Sequence, residues 1–188
     1  MGKNTICQQA FISDNPVAPV AVTGTGLRGR LSQAELSGRL SRAELSRIVA
    51  GAAARADLWR DLVRHDPARR WYRRMALTRE YEVWLLSWQP GQGTGFHDHG
   101  GSAGAFAVAL GELQEQTVRR GHQVAVRTVG TGGVRSFGSR LVHHVLNNSA
   151  GPAVSIHAYS PPLPQMRYYE LTLDGLRYVS TDPAEVTA

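Results

Sequence analysis

From Tyr81 onward the chain is cut into short segments whose residue types and spacing leave little choice but strands. YEVWLLSW, GAFAVAL, ELQEQTVRR, HQVAVRTV, AVSIHAY, YYELTL and LRYVS follow one another, each bounded by Gly, Pro or Asn. Brief runs rich in β-branched and aromatic residues, closed off by turn formers, fit an extended backbone and are too short for helices. Leu173-Asp174-Gly175-Leu176 adds a hairpin signal, because Asp-Gly tolerates the positive φ that two-residue turns need. Seven or more evenly spaced strands without intervening helices argue against βαβ units and for a closed jelly roll or barrel.

The N-terminal third has a different texture. Residues 1–30, rich in Gly, Pro, Thr and Asn, read as an extended lead-in. LSQAELSGR and LSRAELSRI then repeat at a nine-residue offset, each with Ser-x-x-Glu (Ser32/Glu35 and Ser41/Glu44). That spacing is a capping box and predicts two consecutive short helices. ADLWRDLVRH (56–65) predicts a third, with Leu58, Trp59, Leu62 and Val63 on one face. The expected organisation is one mainly β domain over 1–188. It divides into helices at 31–70, a β-barrel at 71–180 and a tail at 181–188.

Composition narrows the function classes. A single cysteine, Cys7, cannot form an internal disulfide and has no assigned role. No apolar run approaches the roughly 18 residues of a membrane span. The N-terminus lacks a signal-peptide pattern, and Ile6 stands where a myristoylation motif needs Ser or Thr. A cytoplasmic protein, expected to be monomeric, follows. The net charge of +6 is uneven, with thirteen arginines against five acids between Arg28 and Arg79. Without a nucleic-acid module this block reads as a solvated helical face, so no nucleic-acid partner is expected.

His97 and His99, at i and i+2 beside a Gly-rich turn, share one face if the stretch is a strand, and Asp98 faces away. Paired inward imidazoles suit a metal better than a solitary core histidine does. The stretch resembles the first cupin motif, G-x5-H-x-H-x3,4-E-x6-G. Gly91, both histidines and the Gly104–Gly111 spacing match, and the glutamate is missing. The second cupin motif ends in H-x3-N, which His143 and Asn147 supply, although the preceding Gly and Pro do not match cleanly. The spacing selects His143 as third ligand and leaves His144 pointing elsewhere, outside the ligand set or exposed. This resemblance implies a cupin jelly-roll β-barrel.

Three neutral histidines leave a divalent metal its full charge, which favours an anionic substrate atom such as a thiolate. Fe(II) commonly sits on three protein ligands with open positions for O2, while Zn, Mn and Ni stay open on ligand type alone. Ser155, His157 and Tyr159 form a second row at i, i+2, i+4, where each can hydrogen-bond the next.

AVSIHAYSPP (153–162), taken with the three histidines, resembles the Ser-x-His-x-Tyr-Ser-Pro-Pro segment of the thiol dioxygenases, above all cysteine dioxygenase. The likeness runs from about Tyr72 to Tyr169. It implies Fe(II) at His97, His99 and His143, L-cysteine and O2 as substrates, and Tyr159 near the bound oxygen, supported by His157 and Ser155. It also implies an arginine in a Tyr-x-Arg segment that holds the substrate carboxylate, which here points to Tyr72 and Arg74. Gly104 stands where some members carry a cysteine cross-linked to the tyrosine, so Tyr159 cannot form that bond here. Met166 replaces a second cysteine found in some members. A cis bond before Pro161 is anticipated. The alternatives are 3-mercaptopropionate dioxygenase, which typically lacks the early arginine, and a non-catalytic metal-binding cupin sensor.

Overall fold

The strand Ala153–Ser160 is buried at every residue, which a strand achieves only when both of its faces are covered. Its alternation shows how. Val154, Ile156 and Ala158 pack into one apolar cluster with Leu45, Val49 and Trp59. Ala153 and Tyr159 belong to another, with Leu86, Trp88, Phe106 and Phe137. This strand is therefore the partition between a helical layer and a barrel interior.

The structure is a computed structural model that describes residues 38–183. Its strands are β1 Trp71–Leu77, β2 Glu82–Trp88, β3 Phe96–Asp98, β4 Ala103–Leu110, β5 Glu112–Val118, β6 Val124–Gly130, β7 Val134–Phe137, β8 His143–Leu146, β9 Ala153–Ser160, β10 Gln165–Thr172 and β11 Gly175–Pro183. They form two antiparallel sheets, in the orders β1-β2-β9-β4-β7 and β11-β10-β3-β8-β5-β6. This is the mainly β jelly roll that the strand pattern predicts and that the cupin resemblance implies.

Helix α1, Arg42–Ala54, lies on the outer face of the five-stranded sheet. It starts where the capping box predicts. Ser41 Oγ accepts from Glu44 N, and Glu44 Oε2 accepts from Ser41 N at 2.7 Å. Leu45 and Val49, one turn apart, are fully buried on the sheet, contributing about 1.5–3 kcal/mol each. The other capping box, Ser32/Glu35, lies outside the described residues.

The helix expected at 56–65 is not formed. Ala56–Leu58 and Arg60–Leu62 are separate single 3-10 turns. Between them Trp59 leaves helical geometry, turns its indole back to donate to Ala53 O at 3.2 Å, and buries itself against α1. One large anchored side chain overrides the helical period. The strands that the pattern did not name, β1, β3, β7 and β8, are a basic segment and three segments of three or four residues, and all escape a search for apolar alternation. The expected hairpin joins β10 to β11, but Thr172 pairs with Gly175, so its two turn residues are Leu173 and Asp174, and the positive φ falls on Gly175 just after them.

Candidate metal centre and its cavity

His97 pairs with His143 across β3 and β8, which sets the two imidazoles side by side on the inner face. His99 follows β3 immediately, ahead of a turn in which Gly100 and Gly101 both adopt positive φ. A Cβ at Gly100 would meet Gln165 O at 2.6 Å, so glycine is required where the chain doubles back. The ring centroids stand 4.8 Å (His97–His143), 4.9 Å (His97–His99) and 5.1 Å (His99–His143) apart. One nitrogen from each lies within 4.8 Å of the others, so the three could hold a metal ion.

Their hydrogen bonds support that fit. His97 Nδ1 contacts Gly95 O at 3.1 Å and His143 Nδ1 contacts Glu115 Oε1 at 2.9 Å, leaving the Nε2 atom of each uncommitted by these bonds. His99 Nε2 is buried without any hydrogen-bond partner. An orphaned buried polar atom costs about 1–3 kcal/mol, and a metal ion at the shared centre would remove that cost. Burial, with added repulsion from the neighbouring imidazoles, holds His97 and His99 well below the usual histidine range. They are neutral, as metal ligands must be. Asp98 faces away, accepting from Arg167 Nε at 2.9 Å and Tyr169 OH at 2.6 Å. His144 also points away from the three and packs edge-on against Phe96 at 5.6 Å.

Behind His143 lies a carboxylate that the sequence reading passed over. Glu115 is buried on β5 and receives Arg135 Nε at 2.6 Å as well as His143 Nδ1. Burial pushes its carboxyl up, but these hydrogen bonds outweigh burial and hold it below the usual value. An acid within a strand normally reads as solvent-facing. The available signal was its inward phase with Leu113.

The second row is assembled as the period-2 spacing requires. Ser155 Oγ lies 2.8 Å from His157 Nε2, and Tyr159 OH lies 3.3 Å from His157 Nδ1. Trp88, an unforeseen member, donates its Nε1 proton to Ser155 Oγ at 2.8 Å. Burial pushes His157 down to about 3, aided by His143 and Arg70. Burial likewise raises the Tyr159 hydroxyl, so it keeps its proton. The Tyr159 ring stacks on His99 at 5.1 Å, joining the two rows.

Both rows open on one cavity, whose wall includes Arg70, Tyr72, Leu86, Leu163 and Met166. The arginine singled out from the sequence, Arg74, is not part of that wall. It lies 3.9 Å from Glu82 and over the Trp84 ring at 5.5 Å. Arg70 reaches the cavity instead. Its guanidinium carbon sits 4.8 Å from the Trp88 ring centroid, Nη1 donates to Gly93 O at 3.1 Å, and Nε is buried without a partner. Residues 70, 72 and 74 share a face by strand alternation, so the Tyr-x-Arg spacing alone could not choose between the two arginines.

Gly104 pairs with Phe137 on one side and Tyr159 on the other. A Cβ there would fall 2.5 Å from the Phe137 ring and 2.9 Å from Tyr159 Cδ1. Phe137 in turn stacks on His99 at 4.7 Å. The space beside the tyrosine is thus filled by an aromatic ring from β7. The Ser160–Pro161 bond following Tyr159 is cis.

A family model described as cysteine dioxygenase type I matches residues 31–172. Among solved structures, TT1209 from Thermus thermophilus is 21% identical, with 55% of this chain and 93% of that one covered and a TM-score of 0.49. A double-stranded β-helix domain protein from Klebsiella pneumoniae is 19% identical, covering 54% and 85% at a TM-score of 0.48. An oxalate oxidase is 17% identical, covering 55% and 56% at 0.48. No helix of the described residues is long and apolar enough to cross a membrane.

Proposed function

The chain belongs to the cysteine dioxygenase type I family, and from that premise we propose that it is an Fe(II)-dependent enzyme converting L-cysteine and O2 to cysteine sulfinic acid. The observation that carries this reading is a cluster of three buried histidines, with no carboxylate among them, of which His97 and His143 line the same cavity as a protonated tyrosine, Tyr159. When bound at His97, His99 and His143, the metal supplies open positions where a thiol and O2 can meet. Both oxygen atoms go to sulfur and the thiol supplies all the electrons, so no organic cofactor or separate reductant is needed.

The remaining work falls to the protein's own side chains. Arg70 is a cation with an unused donor and no carboxylate partner among the described residues, and it suits the substrate carboxylate. Tyr72 borders the same space. Trp88 can only donate, so it leaves the Ser155 proton free to serve His157 Nε2. His157 then carries its proton on Nδ1 and donates to the Tyr159 oxygen, and Tyr159 directs its own proton into the cavity toward the reacting oxygen. His157 and Ser155 hold that orientation.

A second reading, 3-mercaptopropionate as substrate, draws on the engagement of Arg74 with Glu82. Comparing turnover of the two thiols decides between them. Oxygen uptake by purified, iron-loaded protein given L-cysteine tests the class itself. The proposal predicts uptake matched by sulfinate formation. No uptake with either thiol would leave only the metal-binding sensor.

A further inference from the structure

Three imidazoles bring no charge to a bound cation, yet the nearest ring partner in the structure is an ionised acid. Glu115 sits on β5 opposite Val145, two residues along from the Thr117–His143 pair, so it meets His143 diagonally on the inner face. Both of its oxygens are committed. Oε1 takes His143 Nδ1 and Oε2 takes Arg135 Nε from β7, in the opposite sheet. The acid is almost fully buried, and Arg135 is about one-quarter exposed. Glu115 therefore stands behind the ligand set without joining it. A carboxylate can only accept, so His143 must carry a proton on Nδ1, which leaves Nε2 as the atom that would face a metal.

We propose that Glu115 is a positioning residue for the metal centre. It fixes the tautomer and orientation of His143 and lends the metal, through that ring, the negative character the three histidines lack; Arg135 tempers it from the barrel's other sheet. The inference rests on the reading that a metal occupies the three-histidine site. Carboxylate–histidine pairs of this kind raise ligand basicity, and losing the carboxylate typically costs about 10–100-fold in metal affinity.

The test uses the full chain and cobalt(II), titrated against a chromophoric chelator, with melting curves of each metal-free variant as a folding control. E115A should weaken cobalt binding about 10–100-fold, and E115Q, which keeps an acceptor without the charge, should fall between it and the parent. On the iron-loaded protein, E115Q should raise the Fe(III)/Fe(II) potential, since the lost negative charge had favoured Fe(III). R135M should lower it, because the charge on Glu115 is then undiluted. A purely structural role would shift all the variants the same way, and that result would overturn the proposal. If H99A loses cobalt while E115A binds within twofold of the parent, the role of Glu115 falls and the metal site stands. If H99A and the parent bind cobalt equally, both fall.

Discussion

Replacing Arg70 by methionine separates substrate recognition from chemistry. The change keeps the apolar stem and removes the guanidinium that lies over Trp88 and leaves Nε unpaired in the cavity wall. A hydrogen bond to a charged group contributes about 1.5–3 kcal/mol, which at about 1.4 kcal/mol per tenfold is roughly a 10–150-fold loss in kcat/KM for L-cysteine. The cation–π contact adds about 0.5–1 kcal/mol of stability and the bond to Gly93 O about 1 kcal/mol. Their loss lowers Tm by a few degrees and affects every substrate alike. Steady-state oxygen uptake with L-cysteine and with cysteamine, which lacks the carboxylate, isolates the recognition term. R70M should lose kcat/KM for cysteine and keep that for cysteamine within about threefold, with metal content unchanged. An equal loss for both thiols, or a selective loss in R74M and not in R70M, would refute the assignment.

Other consequences follow from the same geometry. H157A should slow turnover by about tenfold or more while retaining metal, because His157 bonds Tyr159 and Ser155 and is not one of the three clustered histidines; metal analysis beside kinetics checks it. G104A should lower stability by about 1–3 kcal/mol through overpacking, since its Cβ falls on the Phe137 ring, and F137L in the same chain should recover much of that loss in thermal melts. The histidines set an acid limit. His157 titrates at about 3 in the folded chain against 6.5 ordinarily, so between those values the unfolded state binds the extra proton. Metal-free stability is therefore intact above pH 6.5 and declines as the pH falls toward 3, at up to about 1.4 kcal/mol per unit for such a histidine. Melting curves from pH 7.5 to 5 should show the decline, and a rise in stability over that range would contradict it.

What could be read from the sequence was whatever the two-residue period and the motif spacings encode. His97, His99 and His143 announce themselves by H-x-H and H-x3-N, and Ser155, His157 and Tyr159 by strand alternation. Their partners do not. Glu115 looks like a surface acid until the second sheet is laid beside it, and Trp88 looks like core. Arg70 sits one residue before β1, on the same face as the arginine that the motif favours. The two part by position along β2: Arg74 stands opposite Trp84, within reach of Glu82, whereas Arg70 lies at the other end of that strand, against Trp88. The missing ligand carboxylate at Gly104 also became intelligible only in three dimensions, where Phe137 fills the place a side chain would need. The 56–65 segment failed for the opposite reason, a clear helical period broken by one indole with a better place to go.

A dioxygenase acting on a thiol in this cavity must draw both sulfinate oxygens from O2 and neither from water. Turnover of L-cysteine under 18O2 by the iron-loaded protein, with the product read by mass spectrometry, tests it most directly. The account predicts two labelled oxygens in each sulfinate. A single labelled oxygen, or oxygen uptake that yields only cystine and hydrogen peroxide, would contradict it.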